Sequence, residues 1–346
     1  MSENYFMGLD GFVWFTGVVE DRNDPDKLGR VRVRCLGFHT EDLLDIPTSD
    51  LPWATVMHPV TNPSMQGLGT TPSFLVEGTW VVGFFTDARE KQQPIIMGTL
   101  PGKPSTAPDD TKGFGDPKKI YPSIALPTSG HGTDTEKNNY ITETKFYESD
   151  TNRLARNDAT TPHNIIELKE TGRTKDVTVA NNSTTWEEPE STYAAVYPNN
   201  HVFETESGHI KEYDDTTDVE RIHEYHKSGT FYEIDKDGNK TTRIVKDSYE
   251  IIAGSDYVNI KGTANLTIDS NCNTHIKGNW NIQVDGTKTE VVTGAVTETY
   301  SSTLTQAVTG LVSETYNASQ KTNISGTLDL DASSEVDIDS GVINLN

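Results

Sequence analysis

Ile252-Ala253-Gly254-Ser255-Asp256-Tyr257-Val258-Asn259-Ile260-Lys261-Gly262 opens an eight-residue period that runs almost to the last residue. Glycine recurs at Gly254, Gly262, Gly278, Gly286, Gly294, Gly310 and Gly326, and the remaining beats carry the small residues Ser270, Ser302, Ala318 and Ser334. Two residues before each beat stands Ile252, Ile260, Ile268, Ile276, Val284, Val292, Tyr300, Val308, Tyr316, Ile324 or Ala332. An octad fits neither a helical period near 3.6 nor a heptad, and Thr, Val, Ile, Asn and Gly favour strands and turns. A fixed period signals stacked architecture. Side chains alternate within each octad, as in Asn281-Ile282-Gln283-Val284, so one face of a short strand is apolar and the other polar. The small residue then permits a corner, glycine having backbone angles denied to other residues. Short strand and corner, repeated, build a β-helical prism.

Two prisms satisfy the period. One chain can wind alone with three octads per coil, or three chains can wind together, each giving one side of every layer. In the second case eleven octads stack to on the order of 50 Å at ~4.8 Å per strand. Periodicity leaves both open. It also leaves open the orientation of Glu290, Glu298, Gln306 and Glu314, which occupy the register held elsewhere by Val258, Leu266, Ile282, Leu330 or Ile338. Pointing inward, they would enclose water or ions and need partners or protonation; a local register change would turn them outward.

Composition agrees with a thin shaft. The 346 residues leave room for two or three domains, and hydrophobic content is only 33%. Net charge is −23, which repels DNA, RNA and anionic membrane and speaks against nucleic-acid binding. Cys35 and Cys272 lie far apart and form no disulfide framework. Both are expected to be small core residues, with Cys272 meeting its symmetry copies if it faces a three-fold axis. The start, MSENYFMGLDGF, lacks the pattern of a secretion signal, and no apolar stretch of about 18 residues is present. Synthesis and assembly in the cytoplasm are expected.

Residues 1–103 read as a five-stranded barrel of the OB type, with strands at Trp14 to Glu20, Val31 to Leu36, Trp53 to Val60, Trp80 to Phe85 and Ile95 to Leu100. Turn clusters separate them at Asp24-Pro25-Asp26, Gly67-Leu68-Gly69 and Gly78-Thr79. Val31, Val33 and Cys35 alternate with Arg30, Arg32 and Arg34, which predicts one buried and one charged face.

The run Gly17-Val18-Val19-Glu20-Asp21-Arg22-Asn23-Asp24-Pro25-Asp26-Lys27-Leu28-Gly29-Arg30-Val31-Arg32-Val33-Arg34 resembles the opening of the central spike proteins of T-even-type contractile phage baseplates. So do Ile46-Pro47-Thr48, Leu51-Pro52-Trp53 and Ile96-Met97-Gly98-Thr99. A second anchor, Glu204-Thr205-Glu206-Ser207-Gly208-His209-Ile210-Lys211-Glu212-Tyr213-Asp214-Asp215-Thr216, is similar to the start of the needle in phage spikes and in the VgrG spikes of type VI secretion. The resemblance implies a barrel seated in a baseplate hub protein, with the three arginines facing a neighbouring subunit or that hub. It also implies octads wound as a homotrimer.

Between the anchors, residues 104–200 are rich in Pro, Thr, Asn and Asp and read as extended linker, with Ile165 to Glu170 the longest helix-compatible stretch. Phage spikes of this type carry a helical lysozyme domain here. Glu148, Asp150 and Thr151 supply its residue types without a helical surrounding, and paired-carboxylate chemistry needs fixed separation and contrasting environments. No catalytic residue is assigned. His209 reads as structural, and His223-Glu224-Tyr225-His226 is one residue short of a zinc-protease motif. Asp329, Asp331, Asp337 and Asp339 lack the glycine pattern of calcium repeats, so no metal or cofactor residue is assigned, ions inside the needle aside.

The expected fold is therefore all-β: an OB-fold barrel over 1–103, extended linker over 104–200, a β-hairpin neck over 201–250 and an intertwined trimeric β-helix over 251–346. The expected role is a mechanical baseplate spike in the virion that punctures the host outer envelope on sheath contraction. Expected partners are its own copies, the hub protein, the host envelope and a small tip protein over the apolar Val342, Ile343 and Leu345. The alternatives are a VgrG-like secretion spike, an envelope hydrolase and a receptor-binding fibre.

Overall fold

The computed structural model describes residues 13–87, 89–102, 109, 111–116, 149–157, 165–180 and 184–343. It forms two units, Met1–Cys272 and Asn273–Asn346.

The first unit opens with five strands: β1 (Val13–Asp21), β2 (Val31–Cys35), β3 (Trp53–Val56), β4 (Trp80–Phe85) and β5 (Pro94–Thr99). They close into a barrel in the order β1-β2-β3-β5-β4, with β3 and β5 parallel and the other pairs antiparallel. Four strands lie within one or two residues of their expected ends. β3 is shorter than expected because Pro59 offers no amide to a ladder. Phe15, Val19, Val31, Val33, Cys35, Ala54, Val81, Phe85 and Ile96 fill the barrel, and burial pushes the Cys35 thiol up to about 12. Two glycines allow β1 and β4 to approach their neighbours. A Cβ on Gly17 would lie 2.6 Å from the Arg34 carbonyl oxygen, and one on Gly83 would overlap the Ile95 carbonyl and crowd the Phe15 ring.

The expected charged arginine face is found only in part, since Arg30 and Arg32 are half-buried and Arg34 is buried. Arg34 is fully buried and donates through Nε to Glu20 Oε1 at 2.7 Å, and through its terminal nitrogens to Glu20, Thr40 O and Ile46 O. Arg32 donates to the carbonyls of Thr48, Ser49 and Leu51 and lies 4.5 Å from the Trp53 ring centroid. Arg30 is held by Asp24 and Asp26 at 2.7 and 2.6 Å, and Asp24 in turn accepts amides across its turn. Carbonyls left without ladder partners in the β2–β3 connection draw the guanidinium groups inward, where charge-assisted bonds are strong. The three arginines hold the barrel's own loops.

A second sheet follows with strand order β12-β11-β10-β9-β8: β8 (Asn200–Glu204), β9 (Ile210–Asp214), β10 (Arg221–Tyr225), β11 (Phe231–Ile234) and β12 (Lys240–Arg243). All its neighbouring pairs are antiparallel. The expected turns join its hairpins, with Gly229 and Gly238 at φ of 96° and 82°, in the left-handed region that favours glycine. Asp235 closes the second turn by accepting the amides of Asp237 and Asn239.

Residues 149–200 depart from the expected linker. Helix α1 (Ile165–Thr171) and the hairpin β6 (Val177–Thr178) and β7 (Thr185–Trp186) lie in this stretch. Leu154 and Ile165 share a buried cluster with Ile210, Tyr225 and Phe231 of the neck sheet. The segment covers the sheet's inner face, which would otherwise leave Tyr225 and Phe231 in water. Its own low periodicity concealed this, since among its described residues Leu154 and Ile165, with the partly buried Ile166 and Tyr193 beside them, carry the contact.

In the second unit, and in the octads that precede it, the backbone bends at 253–254, 261–262, 269–270, 277–278, 285–286, 293–294, 301–302, 309–310, 317–318, 325–326 and 333–334. Every bend ends on the small residue of its beat. None of the seven beat glycines has positive φ, and a Cβ on any of them would meet nothing within 4 Å in the single chain. Smallness is therefore what the corner retains, which accounts for Ser270, Ser302, Ala318 and Ser334.

Candidate functional site

Two arrangements stand out: a charged interior in the neck and an uncovered stripe along the octads. The neck interior arises because β9, β10 and β11 turn their charged residues inward. Glu212, Arg221 and His223 are buried, and Glu233 nearly so. Cross-strand register places His223 directly between Glu212 and Glu233. His223 Nδ1 lies 2.6 Å from Glu212 Oε2, and Arg221 donates to Glu212 at 2.8 Å and to Glu233 at 2.9 Å. Asn200 donates to Glu212 at 2.9 Å. From α1, Lys169 reaches Glu233 at 2.6 Å, and Arg243 pairs with Glu188 at 2.7 Å while donating to the Lys169 carbonyl. These bonds clip the covering segment to the sheet.

Burial pushes the Glu212 carboxyl up, yet the His223 bond, the Arg221 charge and the Asn200 bond overcome it and hold it at about 2. Burial, with Lys169 and Arg221 nearby, depresses His223 despite its carboxylate partner, so its neutral ring donates from Nδ1. Glu233 is also lowered, through Lys169 and Arg221, against the opposing effect of burial. A carboxylate depressed on folding contributes stability that is present above its unfolded value and lost as pH falls toward its folded value. For Glu212 that window runs from 4.5 down to about 2. Lowering the pH from 7 to 3 should weaken the neck by on the order of 2 kcal/mol, measured by urea unfolding with amide exchange on β9–β11. An unchanged midpoint would exclude this role for Glu212.

Along the octads every described residue from 251 onward is exposed, and no main-chain hydrogen bond links one octad to another. Ile252, Ile260, Ile268, Ile276, Val284, Val292, Val308 and Ile324 are exposed large apolar residues. They share one face of the alternating backbone with Val258, Leu266, Ile282, Leu330 and Ile338. A stripe of this kind, with unpaired backbone beside it, has the character of an interaction surface. Cys272 lies on this same alternating face and is exposed in the single chain, so its expected burial is not found within one chain.

Three of the four polar residues in this register, Glu290, Glu298 and Glu314, have partners two residues away in sequence, hence on the same face. Lys288 Nζ binds Glu290 at 2.8 Å, Tyr300 donates to Glu298 at 3.2 Å, and Tyr316 donates to Glu314 at 2.9 Å. Lys288 lowers the Glu290 carboxyl, and the two carboxylates raise their tyrosines. The single chain thus keeps Glu290, Glu298 and Glu314 in the stripe's register without a slip.

The other singled-out residues are scattered. Glu148 lies outside the described residues. Asp150 accepts the Gly102 amide at 2.7 Å and donates its own amide to the Gly102 carbonyl, pinning two distant segments. Thr151 gives its carbonyl to Arg156. The rings of His209 and His226 lie 4.4 Å apart, and His226 Nδ1 accepts from Ser228, whereas His223 points into the neck interior; the two ends of the His-Glu-Tyr-His run serve different elements. Among the described residues no group of three metal-ligating side chains occurs. Leu345 lies outside the described residues, while Val342 and Ile343 are exposed. Sequence reasoning missed the neck network, whose only signal was the density of Glu, Arg and His within strand-like segments.

A closed five-stranded barrel, an antiparallel five-stranded neck sheet and an octad segment with an exposed apolar stripe define a multi-part β protein with an OB-like barrel. The Gp5 N-terminal OB domain family matches residues 38–202. The chain is a relative of the phage Gp5 proteins: it is 41% identical over 292 residues to Protein Gp5 of Vibrio phage KVP40, covering 76% of this chain and 65% of that one. It is 46% identical over 114 residues to the pre-baseplate central spike protein Gp5 of Enterobacteria phage T4, covering 32% of this chain and 20% of that one. The chain thus spans slightly under two thirds of the first relative and a fifth of the second.

Proposed function

We propose that this chain is the structural central spike of a phage tail baseplate, acting mechanically on the host outer envelope and carrying no lysozyme domain. Three copies wind their octads together, so that each stripe becomes one side of a closed core and each backbone finds partners in the other two chains. The single observation that carries this reading is the octad segment, bent at every beat and apolar on one face, with no main-chain hydrogen bond to the rest of the chain among the described residues. No strand of such a layer can peel away alone, and axial load spreads over all layers. The barrel engages the baseplate hub, and a small tip protein covers the far end. The similarity to the pre-baseplate central spike protein of phage T4 supports this reading, and assembly takes place in the host cytoplasm before incorporation into the virion.

The mass of the full chain in solution tests it. The expected species has three times the 38.2 kDa chain mass, with a shaft of about 50 Å in electron micrographs. A monomer, or a compact end without a shaft, would end the proposal.

A further inference from the structure

The connection between β3 and β4 differs from the rest of this acidic chain. From Leu51 to Val76 there is no Asp, Glu, Lys or Arg, although 23% of the chain is charged. Within it, residues 57–74 form a tongue that exposes Met57, Val60, Met65, Leu68 and Phe74, with Val60 wholly in solvent. This is not loose chain. Asn62 donates its amide to Pro59 O at 2.8 Å and its Nδ2 to Thr70 O at 2.8 Å, and Leu68 donates to Met65 O at 2.9 Å. Gly69 sits at φ +93°, and a Cβ there would overlap the Asn62 side chain. The base is fixed by Leu75 in the barrel core and by Phe74, whose ring lies 5.1 Å from that of Phe203 in the neck. A prefolded loop that holds large apolar side chains out of its own core has the properties of a binding element.

We infer that this tongue is the surface by which the barrel docks onto a different protein, one presenting an uncharged apolar groove. The inference deepens the hub-binding reading above and rests on it. Charge selects the occupant. The arginines that could have drawn an acidic partner are already engaged by Asp24, Glu20 and loop carbonyls, and Arg34 is buried. A charge-free tongue meeting a charge-free groove desolvates no ion on either side. A second copy of this chain has its own contact in the octad stripe, which leaves the tongue for another partner.

The test uses the full chain and the purified hub protein encoded with it. Met65→Asp and Gly69→Val should each weaken binding by at least about 30-fold, one by charge and the other by disrupting the Asn62 strut. Barrel melting and the subunit count should stay unchanged for Met65→Asp, and Lys27→Ala should bind as the parent. Wild-type binding should change little when salt rises from about 0.1 to 0.5 M, since no ion pair contributes. If both tongue variants bind as tightly as the parent, the tongue is not the docking surface while the hub reading stands. If the parent itself does not bind, both fall. If Met65→Asp lowers the subunit count, the tongue is a self-contact and the inference is overturned.

Discussion

Ile268→Asp should disassemble the octad segment at its layer, the largest single effect expected in this molecule. In the proposed three-chain shaft, one change per chain places three carboxylates around one closed core. Burying each unpaired ion costs several kcal/mol after relaxation, and the three lost isoleucines forfeit about 1.5–3 kcal/mol apiece. Unlike Glu290, Glu298 and Glu314, the new carboxylate has no Lys or Tyr two residues along: its neighbours in register are Leu266 and Ser270. Sedimentation should show loss of the three-chain species, or limited proteolysis should cut the segment near residue 268. Asn265→Asp, on the opposite face, is the matched control and should leave both readouts as in the parent. Equal behaviour of the two variants would mean that the alternating faces do not separate core from surface.

Glu20→Ala should destabilise the barrel by about 3–5 kcal/mol, because it strands the buried Arg34 guanidinium. The loss extends beyond one pair. Glu20 also accepts the Thr48 hydroxyl at 2.8 Å and the Phe114 amide at 2.8 Å, so it ties the β2–β3 connection and residue 114 to β1. Denaturant unfolding followed by tryptophan fluorescence would read the barrel transition. Replacing both partners, as Glu20→Leu with Arg34→Met, should recover most of the loss, since a matched apolar pair leaves no buried ion. A single-variant loss below about 1 kcal/mol would show the pair to be dispensable.

Much of this architecture was legible in residue order, and the failures are specific. β2 was visible because Val31, Val33 and Cys35 alternate with Arg32 and Arg34, and β1, β4 and β5 because turns punctuate short strand-favouring apolar runs. The octad corners were visible because one small residue per beat survives every substitution. The neck interior was not. In Arg221-Ile222-His223-Glu224-Tyr225 the hydrophobic pattern favours Ile222 as the inward residue, yet Arg221, His223 and Tyr225 are the buried ones. Here Tyr225 and Phe231 set the facing, and the charges beside them follow because cross-strand partners of opposite sign are available to each. Residues 149–200 escaped notice for a related reason: a few apolar contacts and ion pairs anchor them, which no periodicity reveals. Arg34 was misplaced because strand alternation assigns a face without knowing that unpaired carbonyls wait on the other side.

The beats that bend without left-handed glycines have one more consequence. Since each corner asks only for a side chain of modest size, adding or deleting eight residues leaves every later face and corner where it was, while any other number reverses or misplaces them. In the proposed stacked shaft, evolution can therefore edit this segment as a ruler is cut, in whole graduations of roughly 4.8 Å, changing its reach while leaving its cross-section alone.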